Sequence, residues 1–80
     1  MPTILRQDGF AVRLYPNDHD PPHVHVFKAE GQAKISLGDS DSLPLPIEVL
    51  SMSNKDVKKA LEIVKEHQMI LRQAWEKYHD

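Results

Sequence analysis

The chain has 80 residues, of which 40% are hydrophobic and 28% are charged, and its formal net charge is −2. The length predicts a single domain over residues 1–80, and the composition excludes an intrinsically disordered chain. The chain has no cysteine, which excludes a disulfide or a thiolate-bound metal.

Charge along the chain gives little guidance to a partner. Residues 1–53 carry four Lys/Arg and seven Asp/Glu, whereas residues 54–80 carry six and five. Neither half is a basic arm, so charge gives no support for nucleic-acid binding, although nucleic acid stays open as a partner class. No apolar run has the length of a membrane span and the start lacks a signal-peptide core, so we expect a cytoplasmic protein with no membrane partner.

The first half of the chain carries the pattern of a small antiparallel sheet. A short extended segment at 3–5 and an Asp8-Gly9 turn precede three runs in which apolar and other residues alternate: 10–15, 23–28 and 32–37. A period of two is typical of a strand with two different faces. The first two of these strands are separated by a polar loop that ends in Pro21-Pro22.

The second and third of these runs predict a hairpin. With Glu30-Gly31 as the turn, Val26 lies opposite Ile35 and Val24 opposite Leu37. This register places aliphatic residues on one face, and a slip of one residue would set them against polar partners.

The second half predicts an edge strand and a helix. Leu43-Pro44-Leu45-Pro46 is excluded as a central strand because each proline lacks a ladder donor, but 47–50 fits a short edge strand. Ser53 fits a helix N-cap, and the helix should run from Asn54 or Lys55 to about Tyr78. Its apolar residues recur at steps of three and four, and we expect Trp75 to be buried among them.

These elements predict an α+β fold. One long C-terminal helix packs across one face of a three- to four-stranded antiparallel sheet and covers that face only. The opposite face then stays open to solvent, and we expect a binding surface there. Its predicted residues are Arg13, Tyr15, His23, His25, Phe27 and Lys34.

The chain resembles the domain-of-unknown-function 4160 family of short bacterial proteins. The resemblance is carried by Pro2-Thr3-Ile4, by Gly9-Phe10-Ala11-Val12, by the segment from Asn17 to Val26 with its Pro-His-Val-His-Val run, by Ala33-Lys34-Ile35 and by Trp75-Glu76. It implies a compact α+β domain. It also implies a gene that often lies beside that of another small protein, an arrangement like that of toxin–antitoxin pairs. No catalytic residues carry over from the family.

The histidines suggest a metal site. His23 and His25 lie two apart on one strand, and His19 precedes them in the loop, where Asp18 and Asp20 also lie. Neutral imidazoles bind divalent ions such as zinc or nickel, and three protein ligands would leave one position for a water. The alternative is that these histidines cover the sheet surface and bond to backbone or solvent.

Three functions are therefore open. The first is a small binding component of a two-gene, toxin–antitoxin-like module, with a small protein encoded nearby as its partner. The second is a metal-dependent hydrolase or nuclease that uses His23 and His25. The third is a homodimeric interaction protein without small-molecule chemistry.

Overall fold

A five-stranded antiparallel meander and two helices form the protein. The computed structural model describes residues 3–17, 19, 21–38 and 41–79. The strands run in the order β1-β2-β3-β4-β5, and both edges of the sheet are formed by the first and last strands. The elements are β1 (Thr3–Gln7), β2 (Phe10–Arg13), β3 (His23–Lys28), β4 (Gly31–Ser36), β5 (Leu45–Leu50), α1 (Asn54–Glu66) and α2 (Gln68–His79). The α+β class is confirmed, but the predicted three to four strands and single helix fall short of five strands and two helices.

One face of the sheet forms the core with the two helices. The strand residues predicted to face the helix are all buried, because the alternation in β2, β3 and β4 places them on one side. The helices add Ala60, Ile63, Val64, Leu71 and Trp75 to this cluster. The core comprises Phe10, Val12, Leu14, Val24, Val26, Ala33, Ile35, Leu37 and these five helical residues.

The hairpin between β3 and β4 turns earlier than predicted. Lys28 pairs with Gly31, Val26 with Ala33 and Val24 with Ile35, so Ala29 and Glu30 form the two-residue loop. In this loop Ala29 has a positive φ of 50°. Glycine adopts this conformation more readily than alanine does, which is why the sequence favoured a turn that contains Gly31. Gly31 instead lies under the segment that follows β5, where an added Cβ would meet the Ser51 carbonyl oxygen and lie 3.0 Å from Met52 Cα. The predicted register is wrong by two positions, a shift that leaves every side chain on its predicted face.

The last strand is longer than predicted and begins before its proline. β5 starts at Leu45 and includes Pro46, which pairs with Ile35 next to an irregularity in the register. A proline is tolerated here because β5 lies at the edge of the sheet.

The predicted single helix is broken at His67. Its start is as predicted, since the Asp56 backbone amide donates to Ser53 Oγ at 3.1 Å. At His67 the backbone leaves the helix with φ −111° and ψ 21°, and α2 begins at the next residue. Side chains at the break hold it in place: His67 Nε2 donates to Gln7 Oε1 at 2.9 Å, and Gln68 Nε2 donates to the Leu37 carbonyl at 2.7 Å. Neither helix has the length and apolarity required to cross a membrane, within the described part of the chain.

Candidate functional site

The face of the sheet turned away from the helices carries a polar row across its three central strands. Arg13 on β2 lies directly opposite His25 on β3, and His25 lies directly opposite Lys34 on β4. Neighbouring strands are about 4.8 Å apart, so the three side chains stand side by side. We call this side of the sheet the outer face and define it by Arg6, Arg13, Tyr15, His25, Phe27 and Lys34.

Arg6 and Phe27 also lie on the outer face. Arg6 on β1 pairs with Ala11, which in turn pairs with Phe27 on β3, so Arg6 and Phe27 lie on the same side. Arg6 is exposed, while Phe27 is half-buried. The Arg13 guanidinium carbon lies 4.8 Å from the centre of the Phe27 ring, within the range of a cation–π contact. The predicted residues Arg13, His25, Phe27 and Lys34 are therefore brought together.

The exposure of His23 to solvent differs from the prediction. It is only 6% exposed, so the expectation that its side chain is open to solvent is wrong. Alternation does place it on the side away from Val24, but Trp75 of α2 reaches this end of the sheet, with its ring centre 5.3 Å from that of His23. His23 Nδ1 donates to the Pro21 carbonyl at 2.8 Å.

A continuous row of rings connects α2 with the outer face. Along it the centres of Tyr15 and His25 are 4.6 Å apart, those of His25 and His23 5.3 Å, and those of Trp75 and His79 3.7 Å. The His79 and Trp75 rings are stacked at 14° to each other. The row links a buried part of the core to half-buried rings at the surface, and three of its five members are imidazoles.

The predicted metal ligands are brought together in part. The His23 and His25 rings are adjacent, whereas His19 is exposed in the preceding loop. Among the described residues no group of three or more His, Asp or Glu side chains is placed to hold a metal ion. Asp18 and Asp20, the other two candidates from this loop, lie outside the described residues. Zinc or nickel binding by His19, His23 and His25 stays a prediction.

An exposed apolar surface on the described chain was not predicted. All six residues of β5 are exposed, and their aliphatic side chains are 40–63% accessible. Leu43, just before the strand, is 61% accessible. We call this the edge surface and define it by Leu43, Leu45, Ile47, Val49 and Leu50. The sequence signal was an aliphatic residue at every second position from 43 to 49, followed by Leu50, with two prolines and one glutamate between them.

An apolar groove extends the edge surface toward α1. It has a volume of about 330 Å³ and lies between the start of β5 and the middle of the helix. It is lined by the apolar residues Leu43, Pro44, Leu45 and Leu61 and by the charged residues Lys58, Glu62 and Lys65. The apolar surface of β5 is therefore continuous with a shallow hollow, bordered by charged side chains.

Comparison with known proteins gives the family of the chain. A family model described as Domain of unknown function (DUF4160) matches residues 9–76. No curated protein and no solved structure matches the chain significantly. The matched segment runs from the turn before β2 into α2 and includes the Pro-His-Val-His-Val run of β3. Because the match covers most of its length, this chain belongs to the DUF4160 family of domains of unknown function.

Proposed function

We propose that the protein is the protein-binding component of a two-gene, toxin–antitoxin-like module, and that its partner binds at the edge surface. The observation that supports this proposal is the exposure of β5, an edge strand with aliphatic side chains that are 40–63% accessible. Exposed apolar patches of this kind mark interaction sites, and an edge strand also offers unpaired backbone groups to an added strand.

The composition of β5 favours a partner of different sequence over a second copy. Pro46 lacks an amide hydrogen, and Glu48 places a carboxylate near the middle of the strand. Proline and charged residues on an edge strand are common devices against pairing between identical edges. A partner strand with apolar residues and a cation opposite Glu48 would complement this edge.

Binding to the product of the neighbouring gene tests the proposal. The two proteins are co-expressed, and affinity is measured by calorimetry for the wild type and for Ile47→Lys. Since desolvated side chains near the middle of an interface dominate its energy, Ile47→Lys should weaken binding about tenfold or more. Met69→Lys is the matched control, because Met69 is 74% exposed on α2 and lies outside the edge surface. It should bind as the wild type does.

Three outcomes would contradict the proposal. The first is that Ile47→Lys binds the neighbouring gene product as tightly as the wild type and Met69→Lys do, and the second is that no complex forms. The third is that light scattering shows a wild-type dimer that Ile47→Lys converts to a monomer, which would assign the edge surface to self-association. Circular dichroism confirms that each variant is folded.

A further inference from the structure

The cations of the protein are divided between the two sides of the sheet. On the helix side, Lys28 lies 3.9 Å from Asp56 and Lys59 lies 3.4 Å from Asp8, so these lysines have carboxylate partners. Arg6, Arg13 and Lys34 on the outer face form no ion pair with a described residue.

Over its described residues the outer face is therefore positive, in a chain that is negative as a whole. Glu48 of β5 lies opposite Lys34 and adds one carboxylate to the three cations. These four residues together have a net charge of +2, whereas the chain has a net charge of −2. Positive charge on one face attracts an anionic ligand even when the net charge is negative. The charge counts of the two halves of the sequence do not show this positive face, because the three cations come from three different strands that only the folded sheet brings together.

Flat side chains lie among these cations. The Phe27 ring contacts the Arg13 guanidinium at 4.8 Å, and the Tyr15 ring contacts the His25 imidazole at 4.6 Å. Arg13 Nε is buried and has no hydrogen-bond partner among the described residues. The guanidinium therefore lies over the Phe27 ring and forms no ion pair with a described residue. Aromatic rings and arginine planes on an open antiparallel sheet are the surfaces on which unpaired bases stack.

We propose that the outer face binds single-stranded nucleic acid, RNA or DNA. Its phosphates would contact Arg6, Arg13 and Lys34, and its bases would stack against Phe27 and Tyr15. The two kinds of contact lie side by side, since Phe27 is diagonal to Arg13 on the neighbouring strand β2, and Arg6 lies in the same row as Phe27 on β1, with Ala11 between them. Charge alone would attract any polyanion, whereas the rings favour one with unpaired bases. This proposal does not depend on the edge surface, because it uses different residues.

Fluorescence polarisation with labelled oligonucleotides tests the proposal. The probes are twelve-residue oligouridylate and oligothymidylate, with a twelve-base-pair DNA duplex and polyglutamate as comparisons, all at low salt. Both single strands should bind more tightly than the duplex and polyglutamate. With three phosphate contacts, the logarithm of the binding constant should fall against the logarithm of salt concentration with a slope of about −2. A difference in affinity between the two single strands reports the sugar and the C5 methyl group of thymine together.

Matched variants separate charge from stacking. Arg13→Gln should weaken binding and make the salt slope about 0.7 less steep, while Lys58→Gln on α1 removes the same charge from the helix side and should change neither. Phe27→Ala should weaken binding about fivefold or more, and its salt slope should stay that of the wild type. Tyr78→Ala, an aromatic residue 40% exposed on α2, is its control. Lys34→Gln gives a second charge variant if Arg13→Gln is poorly folded.

Three outcomes would overturn the proposal. The first is no binding of either single strand at low salt. The second is equal binding of polyglutamate, with loss in Arg13→Gln but not in Phe27→Ala, which would make the outer face a surface for acidic proteins. The third is equal loss in Arg13→Gln and Lys58→Gln, which would place the contacts elsewhere. None of these outcomes tests partner binding at the edge surface, because the variant that tests it, Ile47→Lys, changes no residue of the outer face.

Discussion

His23 shows how far a single residue can be predicted from its neighbours. Its place in the alternating run correctly puts it on the side of the sheet opposite Val24 and Val26. Its burial comes from Trp75, which lies more than fifty positions later in the sequence. Local pattern determines the direction of a strand side chain, but its accessibility depends on what the rest of the chain places over it.

The same residue bears on the metal prediction. The bond from His23 Nδ1 to the Pro21 carbonyl places a proton on Nδ1, so that in the neutral ring Nε2 is the nitrogen that could bind a metal, as in histidine ligands held by a backbone carbonyl. His25 provides the adjacent imidazole, with ring centres 5.3 Å apart. A third ligand would come from the loop that contains His19.

Zinc is therefore expected to raise the melting temperature of the wild type, because binding to the native state alone stabilises it by about 2.7 kcal/mol at one hundred times the dissociation constant. His25→Ala should abolish the shift. His67→Ala is the control: His67 bonds Gln7 at the helix break, so this variant should melt lower without zinc but keep the shift. Identical melting curves of the wild type with and without excess zinc or nickel would contradict the metal prediction.

At the scale of elements, the face of the sheet on which a strand residue lies was easier to predict than the pairing register of the strands. The bounds of β3 agree with the prediction, and every strand residue assigned to the core is buried. Two hairpin registers that differ by two positions give the same faces, so the hydrophobic pattern cannot choose between them. The choice depends on Gly31, whose missing Cβ leaves room for Ser51 and Met52. That contact is not visible in the local sequence, which favours a glycine in the turn.

The two hairpin registers predict opposite effects on stability for a substitution at Ala29. Ala29 has a φ of 50°, a conformation that asparagine tolerates better than alanine. Ala29→Asn should therefore stabilise the protein by about 0.5–1 kcal/mol, observed as a higher denaturant midpoint. If Ala29 were instead a paired strand residue, asparagine would lower the midpoint. Glu30→Asn, at the other loop position, serves for comparison.

The helix break has a similar explanation. The residues around His67 include neither proline nor glycine, and the apolar spacing continues through them, so the sequence favours one helix. The break is stabilised by side chains that bond to distant strands: His67 to Gln7 of β1, and Gln68 to the carbonyl of Leu37 after β4. After the break, Ile70 is 56% exposed, although one uninterrupted stripe would have placed it beside the core.

At the scale of the molecule, the candidate surfaces were predicted unequally. Five of the six residues of the outer face follow from alternation, because one layer of helices covers one side of a sheet, but Arg6 of β1 was not predicted. The edge surface could not be predicted in the same way. An aliphatic residue in a strand is ordinarily a sign of burial, and nothing in the sequence from Leu43 to Leu50 shows that these side chains stay exposed beside α1. The exposure of these side chains is a property of the assembled fold.

Stability at this scale depends on few residues, and Trp75 is prominent among them. An 80-residue domain is expected to be stable by about 4–12 kcal/mol. Trp75 is 5% exposed, as predicted, and its ring lies between His23 of the sheet and His79 of its own helix. It therefore joins α2 to the end of β3.

Trp75→Ala is expected to cost about 3–5 kcal/mol, through lost burial and the cavity left between sheet and helix. For a domain of this size such a loss lowers the melting temperature by more than about 12 °C. Thermal and urea unfolding followed by circular dichroism measure it. Tyr78→Ala removes another aromatic ring from α2, but a ring 40% exposed, and should melt close to the wild type. Trp75→Phe retains part of the buried ring and should fall between them. A Trp75→Ala variant that melts within a few degrees of Tyr78→Ala would show that α2 is held to the sheet by other contacts, with the Gln68 and Leu71 end of the helix as the first place to look.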